Sequence, residues 1–259
     1  VLGQTPPPLQ DDHALFLDFD GTLVDIAPAP DRIVVDPGLT RALARLMQPL
    51  QGALAVISGR PIAEIDHWLA PLTLPVAGVH GAERRDAQGR RSEQGSDALA
   101  GVVAVAEALA REHAGLRVER KRSAVALHYR EAPDREGVCR EALQAALAAA
   151  PELRLLPGKC VFEVLPRGIS KGASVLAFMA EAPFSGRRPI FIGDDVTDEA
   201  GFEAVQQHGG IAVKVGTGPS VAAHRLADTA QVRRWLFNAA DALDRSTAAG
   251  GRARHATDT

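Results

Sequence analysis

Two aspartates stand two residues apart in Asp18-Phe19-Asp20-Gly21-Thr22, directly after the apolar run Ala14-Leu15-Phe16-Leu17. In extended chain, alternate side chains point the same way, so the two carboxylates are held together and repel each other. A cation removes that repulsion. A third acid, Asp194, follows the apolar run Pro189-Ile190-Phe191-Ile192 within Gly193-Asp194-Asp195-Val196-Thr197-Asp198-Glu199. Asp18, Asp20 and Asp194 together make an all-oxygen set suited to Mg2+, which keeps several waters and takes few carboxylates. A phosphate dianion does not approach such acids unaided. A bound metal and Lys171, which opens a predicted helix in Gly168-Ile169-Ser170-Lys171-Gly172, would make that approach possible. Ser58, in Ser58-Gly59-Arg60 after Ala53-Leu54-Ala55-Val56-Ile57, adds a hydroxyl. The chemistry these residue types suit is phosphoryl transfer beside a divalent ion.

Short apolar runs alternate with helical stretches, the pattern of a parallel sheet covered on both faces. The runs are continuous rather than alternating, as strands buried on both sides should be. Helices are predicted near Leu39 to Met47, from Pro61 to about Leu69, and over a final stretch containing Trp235 and Leu236. A run from Pro75 to Val79 ends at His80-Gly81, and a weaker one covers Ile211 to Val215. Ligands bind outside the carboxyl ends of strands in such sheets, which is where Asp18, Ser58 and Asp194 fall. Between Ala82 and about Leu165 the pattern changes. Two Ala-rich helices, near Asp97 to His113 and Arg135 to Ala149, are each followed by a pair of strands with one buried face. The expected fold is α/β, a Rossmann-like doubly wound parallel sheet with an inserted α+β cap. Its boundaries are residues 12–82 and 166–245 for the core and 83–165 for the cap, between a flexible start at 1–11 and a disordered tail at 246–259.

These features resemble the haloacid dehalogenase superfamily of phosphohydrolases, through Asp-x-Asp-Gly-Thr, Ser-Gly-Arg, the isolated lysine and Gly-Asp-Asp-x-x-Asp, in that order. The resemblance implies that Asp18 attacks phosphorus to give an aspartyl-phosphate, splitting hydrolysis into two easier steps. Asp20 would protonate the leaving oxygen and later deprotonate water. Ser58 and the Gly59 amide would hold phosphate oxygens, and Lys171 would offset charge on Asp18 and the phosphoryl group. Asp18, Asp194 and the Asp20 carbonyl would bind Mg2+, with Asp195 and Asp198 supporting them.

Strand parity in the insert groups Arg117, Glu119 and Lys121 on one side of Leu116 to Lys121, and His128 with Arg130 on one side of Ala124 to Arg130. In Lys159 to Leu165 it sets Lys159 and Glu163 opposite Cys160, Phe162 and Val164. A mixture of acids and bases suits a polyol, because carboxylates accept and ammonium groups donate hydrogen bonds. Such a face would close as a lid over the substrate, hinged near Ala82–Glu83 and Leu165–Gly168. Here the chain is similar to the trehalose-6-phosphate phosphatase family, in Val79-His80-Gly81-Ala82-Glu83, Glu119-x-Lys121, His128-Tyr129-Arg130 and Gly158-Lys159-x-x-x-Glu163. That similarity implies substrate contacts from Glu119, Lys121, Arg130, Lys159 and Glu163, and places His80 and Gly81 at the substrate side of the core. It also implies the last step of trehalose biosynthesis. Alternatives are a sucrose-phosphate or mannosyl-phosphoglycerate type phosphatase, a phosphomutase, or a sugar-phosphate sensor without turnover.

Composition narrows the partners. A net charge of −3 over 259 residues gives no electrostatic footprint for nucleic acid or an anionic membrane. No apolar run approaches the roughly 20 residues a membrane-spanning helix needs. The basic cluster Arg84-Arg85 to Arg90-Arg91 reads as a solvated hairpin. Cys139 and Cys160 lack metal-ligand spacing and read as packing residues. The expected setting is a monomer in the cytoplasm acting on a small sugar phosphate.

Overall fold

The computed structural model describes residues 4–27 and 32–255, with side chains to 246. Twelve strands and seven α-helices are distributed over two sheets among the described residues. The large sheet begins with β1 (His13–Leu17), β2 (Leu54–Ile57) and β3 (Val76–Gly78). It continues with β4 (Glu83–Arg85), β5 (Arg91–Glu93), β10 (Arg188–Gly193), β11 (Ile211–Val215) and β12 (His224–Leu226). Their spatial order is β12-β11-β10-β1-β2-β3-β4-β5, parallel from β12 to β3 and antiparallel beyond. The small sheet holds β6 (Arg117–Arg120), β7 (Val125–His128), β8 (Leu153–Gly158) and β9 (Val161–Pro166), antiparallel in the order β6-β7-β9-β8.

Alternation along the central strands sorts the large core into two faces. Leu15, Leu17, Leu54, Val56, Ile190 and Ile192 pack under α1 (Pro37–Met47), α2 (Ile62–Leu69) and α7 (Thr229–His255). On the other face, Phe16, Ala55, Ile57 and Phe191 meet α5 (Lys171–Met179) and α6 (Glu199–Gln207) through Val175, Phe178, Phe202 and Val205. Asp36 caps α1 by accepting from the Gly38 amide at 2.6 Å, with Pro37 at the first helical position, where its missing N–H is no loss. In the small unit, α3 (Leu99–Glu112) and α4 (Glu136–Leu147) cover Val125, Leu127, Phe162 and Val164. No helix of the described residues is long and apolar enough to cross a membrane.

Several details depart from the sequence reading. The hairpin β4–β5 joins the large sheet at β3, so the small sheet starts only at β6. That hairpin is not simply solvated: Arg85 is buried against Asp66 and the Leu74 carbonyl, and Arg84 lies over the Phe178 ring at 4.4 Å. The start of the chain is packed rather than loose from residue 4. Gln4 bridges to His224, Leu9 is buried, and the Trp235 indole donates to Pro7 O at 3.3 Å. At the other end, α7 continues helical to His255, and the rest of the expected tail lies outside the described residues. Lys159 and Cys160 form the turn between β8 and β9, with Cys160 at φ 62°, so strand parity does not govern Lys159. The second face of the small sheet is also less open than parity alone implied. Ala124 and Leu165 pack with Val79, Ala82 and Ile169 in an apolar seam between the two sheets. The two expected hinge positions, Ala82 and Leu165, are themselves buried in that seam.

Candidate active site

The carboxyl ends of β1, β2, β3 and β10 converge on a cavity of about 780 Å³ that the small sheet overhangs. Asp18 follows β1 directly; its amide donates to Ile192 O at 2.9 Å, which ties it to the neighbouring β10. Its side chain is almost fully buried. Gly21, at φ 76°, makes the sharp turn after it, and a Cβ there would meet the Asp194 carboxylate at 2.2 Å. Lys171 reaches Asp18 Oδ1 and Asp198 Oδ1 with its Nζ, each at 2.6 Å. Its position is set by Ser170, which caps α5 by accepting from the Ala173 amide at 3.0 Å. Asp198 is completely buried and also accepts from the amides of Asp194 and Asp195 at 3.0 and 2.9 Å. Asp195 and Asp198 thereby close a reciprocal cap that shapes the loop presenting Asp194.

Oxygen atoms of Asp18, Asp194 and Asp198 lie within 4.8 Å of one another. Burial, and then the Asp198 charge, push the Asp18 carboxyl well above the usual range. The same causes push Asp194 up to about 6. Burial alone would lower the Lys171 ammonium, but Asp18 and Asp198 outweigh it and hold it charged. Crowded, desolvated carboxylates of this kind are relieved by a divalent cation, and hard oxygen donors suit one. The residues therefore fit a metal ion. Asp20 stands apart from this group: its carboxylate accepts from Arg60 Nε at 2.6 Å and Arg60 Nη2 at 2.9 Å. The expected Asp20 carboxylate is therefore turned to Arg60 rather than to Asp18 and Asp194.

Ser58 is buried at the end of β2 and its Oγ accepts from the Arg60 amide at 3.1 Å. Val79, His80 and Gly81 follow β3 with φ of 48°, 59° and 114°. Left-handed backbone is costly for a β-branched residue such as Val79, so the turn is held by its surroundings. The His80 and Val79 amides donate to Ser58 O and Arg60 O at 2.9 and 3.0 Å, and Gly81 leaves no room for a Cβ beside Ser174 Oγ. From this turn the His80 ring reaches Glu163 Oε2 at 2.5 Å.

The small sheet brings Glu119 and Glu163 to one row through Ala126, their shared cross-strand partner. Glu163 Oε1 accepts from Lys121 Nζ at 2.5 Å, and Lys121 also donates to Gly59 O at 3.0 Å. Burial would raise Glu163, but His80 and Lys121 outweigh it and hold the carboxyl far below its usual range. Glu119 bonds His128 Nε2 at 2.9 Å, and that contact lowers it too. Arg130, Lys159 and Arg117 are exposed at the cavity wall, beside the half-buried His128. Of the residues expected at the substrate, Arg130, Lys159 and His80 line the cavity; Gly81 and Glu119 stand behind it, Glu119 beside the lining residue His128, and Lys121 and Glu163 bridge the two sheets. Arg60 and Lys214 carried no expected role. Lys214 is buried at the end of β11 and donates to Asp194 O. A lysine inside the apolar run Ile211 to Val215 was the sequence signal for it.

Residues 16–232 match the family model described as trehalose-phosphatase. The chain belongs to the trehalose-phosphatase family. Its relatives include the trehalose-6-phosphate phosphatase of Escherichia coli (strain K12), 45% identical over 232 residues, covering 89% of this chain and 87% of that one. A probable trehalose-phosphate phosphatase of Sinorhizobium fredii is 44% identical, covering 80% and 78%. Among solved structures, a trehalose-6-phosphate phosphatase related protein superposes with a TM-score of 0.72 at 26% identity, covering 89% of this chain and 99% of that one. The C-terminal domain of Candida albicans trehalose-6-phosphate phosphatase gives 0.77 at 22% identity, covering 88% and 92%, a likeness of fold. A haloacid dehalogenase-like hydrolase from Bacteroides thetaiotaomicron shares the fold at 0.62. The family is one of phosphoric monoester hydrolases, and the α/β fold is the one expected.

Proposed function

We propose that this trehalose-phosphatase family member hydrolyses trehalose 6-phosphate to trehalose and inorganic phosphate, with Mg2+ as the metal. The observation that carries the reading is Asp18: a buried carboxylate at the end of a parallel strand, bonded by Lys171 at 2.6 Å, in the floor of a cavity walled by polar side chains of the small sheet. Asp18 attacks phosphorus. A bond forms from its carboxylate oxygen as the bond from phosphorus to the sugar oxygen breaks, leaving an aspartyl-phosphate on the chain. Asp20 gives its proton to the departing sugar oxygen, which leaves poorly as an alkoxide. Water then attacks the aspartyl-phosphate, Asp20 takes its proton, and phosphate departs to regenerate Asp18. Ser58 and the Gly59 amide hold phosphate oxygens, while Lys171 offsets charge that builds up against Asp18. Asp18, Asp194 and the Asp20 carbonyl would hold the metal, which when bound neutralises phosphate charge that the acids would otherwise repel. Asp195 and Asp198 keep the Asp194 loop in shape.

Specificity falls to the cap. Arg130 and Lys159 donate to sugar hydroxyls from the cavity wall, Glu119 accepts, and Lys121 and Glu163 contribute from beside His80 and Gly81. The test is phosphate release from a panel of sugar phosphates, with Mg2+ and with EDTA. Release from trehalose 6-phosphate at least tenfold faster than from sucrose 6-phosphate or glucose 6-phosphate, and abolished by EDTA, is the expected result. A flat profile across the panel refutes the substrate, and full activity in EDTA refutes the metal.

A further inference from the structure

Arg60 lines the same cavity as Asp18 and Asp20. Asp20 sits in the turn after the nucleophile with its side chain 36% exposed, where a carboxylate would otherwise sample several rotamers. The Arg60 fork grips both of its oxygens, Nε on Oδ2 at 2.6 Å and Nη2 on Oδ1 at 2.9 Å. Paired contacts of this kind fix direction as well as distance. Arg60 is itself held: its amide donates to Ser58 Oγ, its carbonyl accepts from the Val79 amide, and its Nη1 donates to Glu64 at 2.7 Å. Its guanidinium carbon lies 6.0 Å from the centre of the Phe19 ring, between the two aspartates in sequence. One residue back, Gly59 O takes the Lys121 ammonium from the small sheet at 3.0 Å. His80 closes the other side of Gly59, where an added Cβ would meet its ring at 2.9 Å. The segment 58–60 is therefore clamped by both sheets, and its last side chain ends on Asp20.

We propose that Arg60 is a positioning residue for proton transfer, aiming the Asp20 carboxyl at the leaving sugar oxygen, and that the cap contributes through Lys121 by fixing the segment that carries it. This rests on the two-step reading of Asp18 and Asp20 above. In the step concerned, the Asp20 proton passes to the sugar oxygen as that oxygen's bond to phosphorus breaks and the Asp18 oxygen bonds phosphorus. Misaimed, Asp20 would slow this step only for esters whose leaving oxygen needs a proton.

The experiment compares Arg60→Gln with wild type in single-turnover formation of the aspartyl-phosphate, using a sugar phosphate and 4-nitrophenyl phosphate. Nitrophenolate departs without a proton. General acids contribute about 10²–10⁴-fold, so loss of aim should slow the sugar ester by about 10–100-fold and the aryl ester by less than about 3-fold. In an Asp20→Asn background, Arg60→Gln should add less than about 3-fold on either ester, because two residues acting through one step are not additive. Arg60→Lys keeps the charge without the fork and should recover part of the loss, and serves as the second variant should the glutamine protein be poorly folded. Equal slowing of both esters would make Arg60 a phosphate ligand and overturn the proposal. So would a full additional loss in the Asp20→Asn background. The sugar ester is whichever the wild type hydrolyses fastest, so an error in the substrate shows in the wild type alone and leaves the Arg60 comparison intact.

Discussion

Glu163→Gln isolates the bridge between the two sheets. The Glu163 carboxylate receives Lys121 Nζ and His80 Nε2, each at 2.5 Å, and the side chains of Glu163, Lys121 and His80 are 12%, 7% and 10% exposed. Glutamine preserves the shape, so no cavity opens, but it removes the charge that compensates a buried ammonium and presents an NH2 to groups that donate. Breaking a buried pair from one side costs about 3–5 kcal/mol. At about 2–4 °C per kcal/mol for a chain of this size, the melting temperature should fall by about 6–20 °C, measured by calorimetry at neutral pH. Replacing both partners with apolar residues, Lys121→Met with Glu163→Leu, removes the stranded charge and should cost less than Glu163→Gln alone. Both proteins should lose activity on the sugar phosphate. A Glu163→Gln protein melting within about 2 °C of wild type would refute the argument, because it would mean that the pair is solvated in solution.

Three further outcomes are expected. Asp194 is raised to about 6, above its unfolded value near 3.9, so its contribution to stability is fully present below the unfolded value and lost as pH rises through 6. Metal-free protein should therefore lose about 3 kcal/mol between pH 4 and 7 from this group; Mg2+ at pH 7 should restore it, whereas Asp194→Asn, with no carboxyl to ionise there, should show neither that loss nor that restoration, followed by thermal melts in EDTA and in Mg2+. Glu119→Ala should slow trehalose 6-phosphate hydrolysis by about 10–100-fold while changing 4-nitrophenyl phosphate turnover by less than about 3-fold, a loss near 1.4–2.8 kcal/mol confined to the sugar; equal losses on both esters would remove Glu119 from specificity. Lys214→Met removes the donor to the part-buried Asp194 carbonyl, a penalty of about 1–3 kcal/mol, and should weaken Mg2+ binding in a calorimetric titration.

The central strands and the residues beyond them were legible because a strand buried on both faces has little choice of composition. The order of apolar runs assigns Asp18, Ser58 and Asp194 to one edge of a sheet, and the structure brings them to one cavity. Contacts between segments distant in sequence were less accessible. Nothing in the spacing of Arg84, Arg85, Arg90 and Arg91 distinguishes a free hairpin from one that extends the large sheet at β3. Alternation over Lys159 to Leu165 treats Lys159 as a strand residue, yet the left-handed Cys160 puts it in a turn. Arg60 stands in the Ser-Gly-Arg motif, but its partner Asp20 lies forty residues earlier, in the turn after another strand. The apolar seam joining Ala124 and Leu165 to Val79 and Ile169 was hidden for the same reason, since each residue looks like an ordinary strand or loop hydrophobe.

The small unit has its own apolar interior, separate from the two interiors of the large sheet. On the proposed reading, bond-breaking groups reside on one scaffold and the wall facing the sugar on another, joined by a seam and a few polar ties. Evolution, or an engineer, is thereby free to recast the wall for a different alcohol while the phosphorus chemistry is inherited intact. The ties at Lys121 and Glu163 set the boundary of that freedom, because altering them disturbs the catalytic floor as well as the guest.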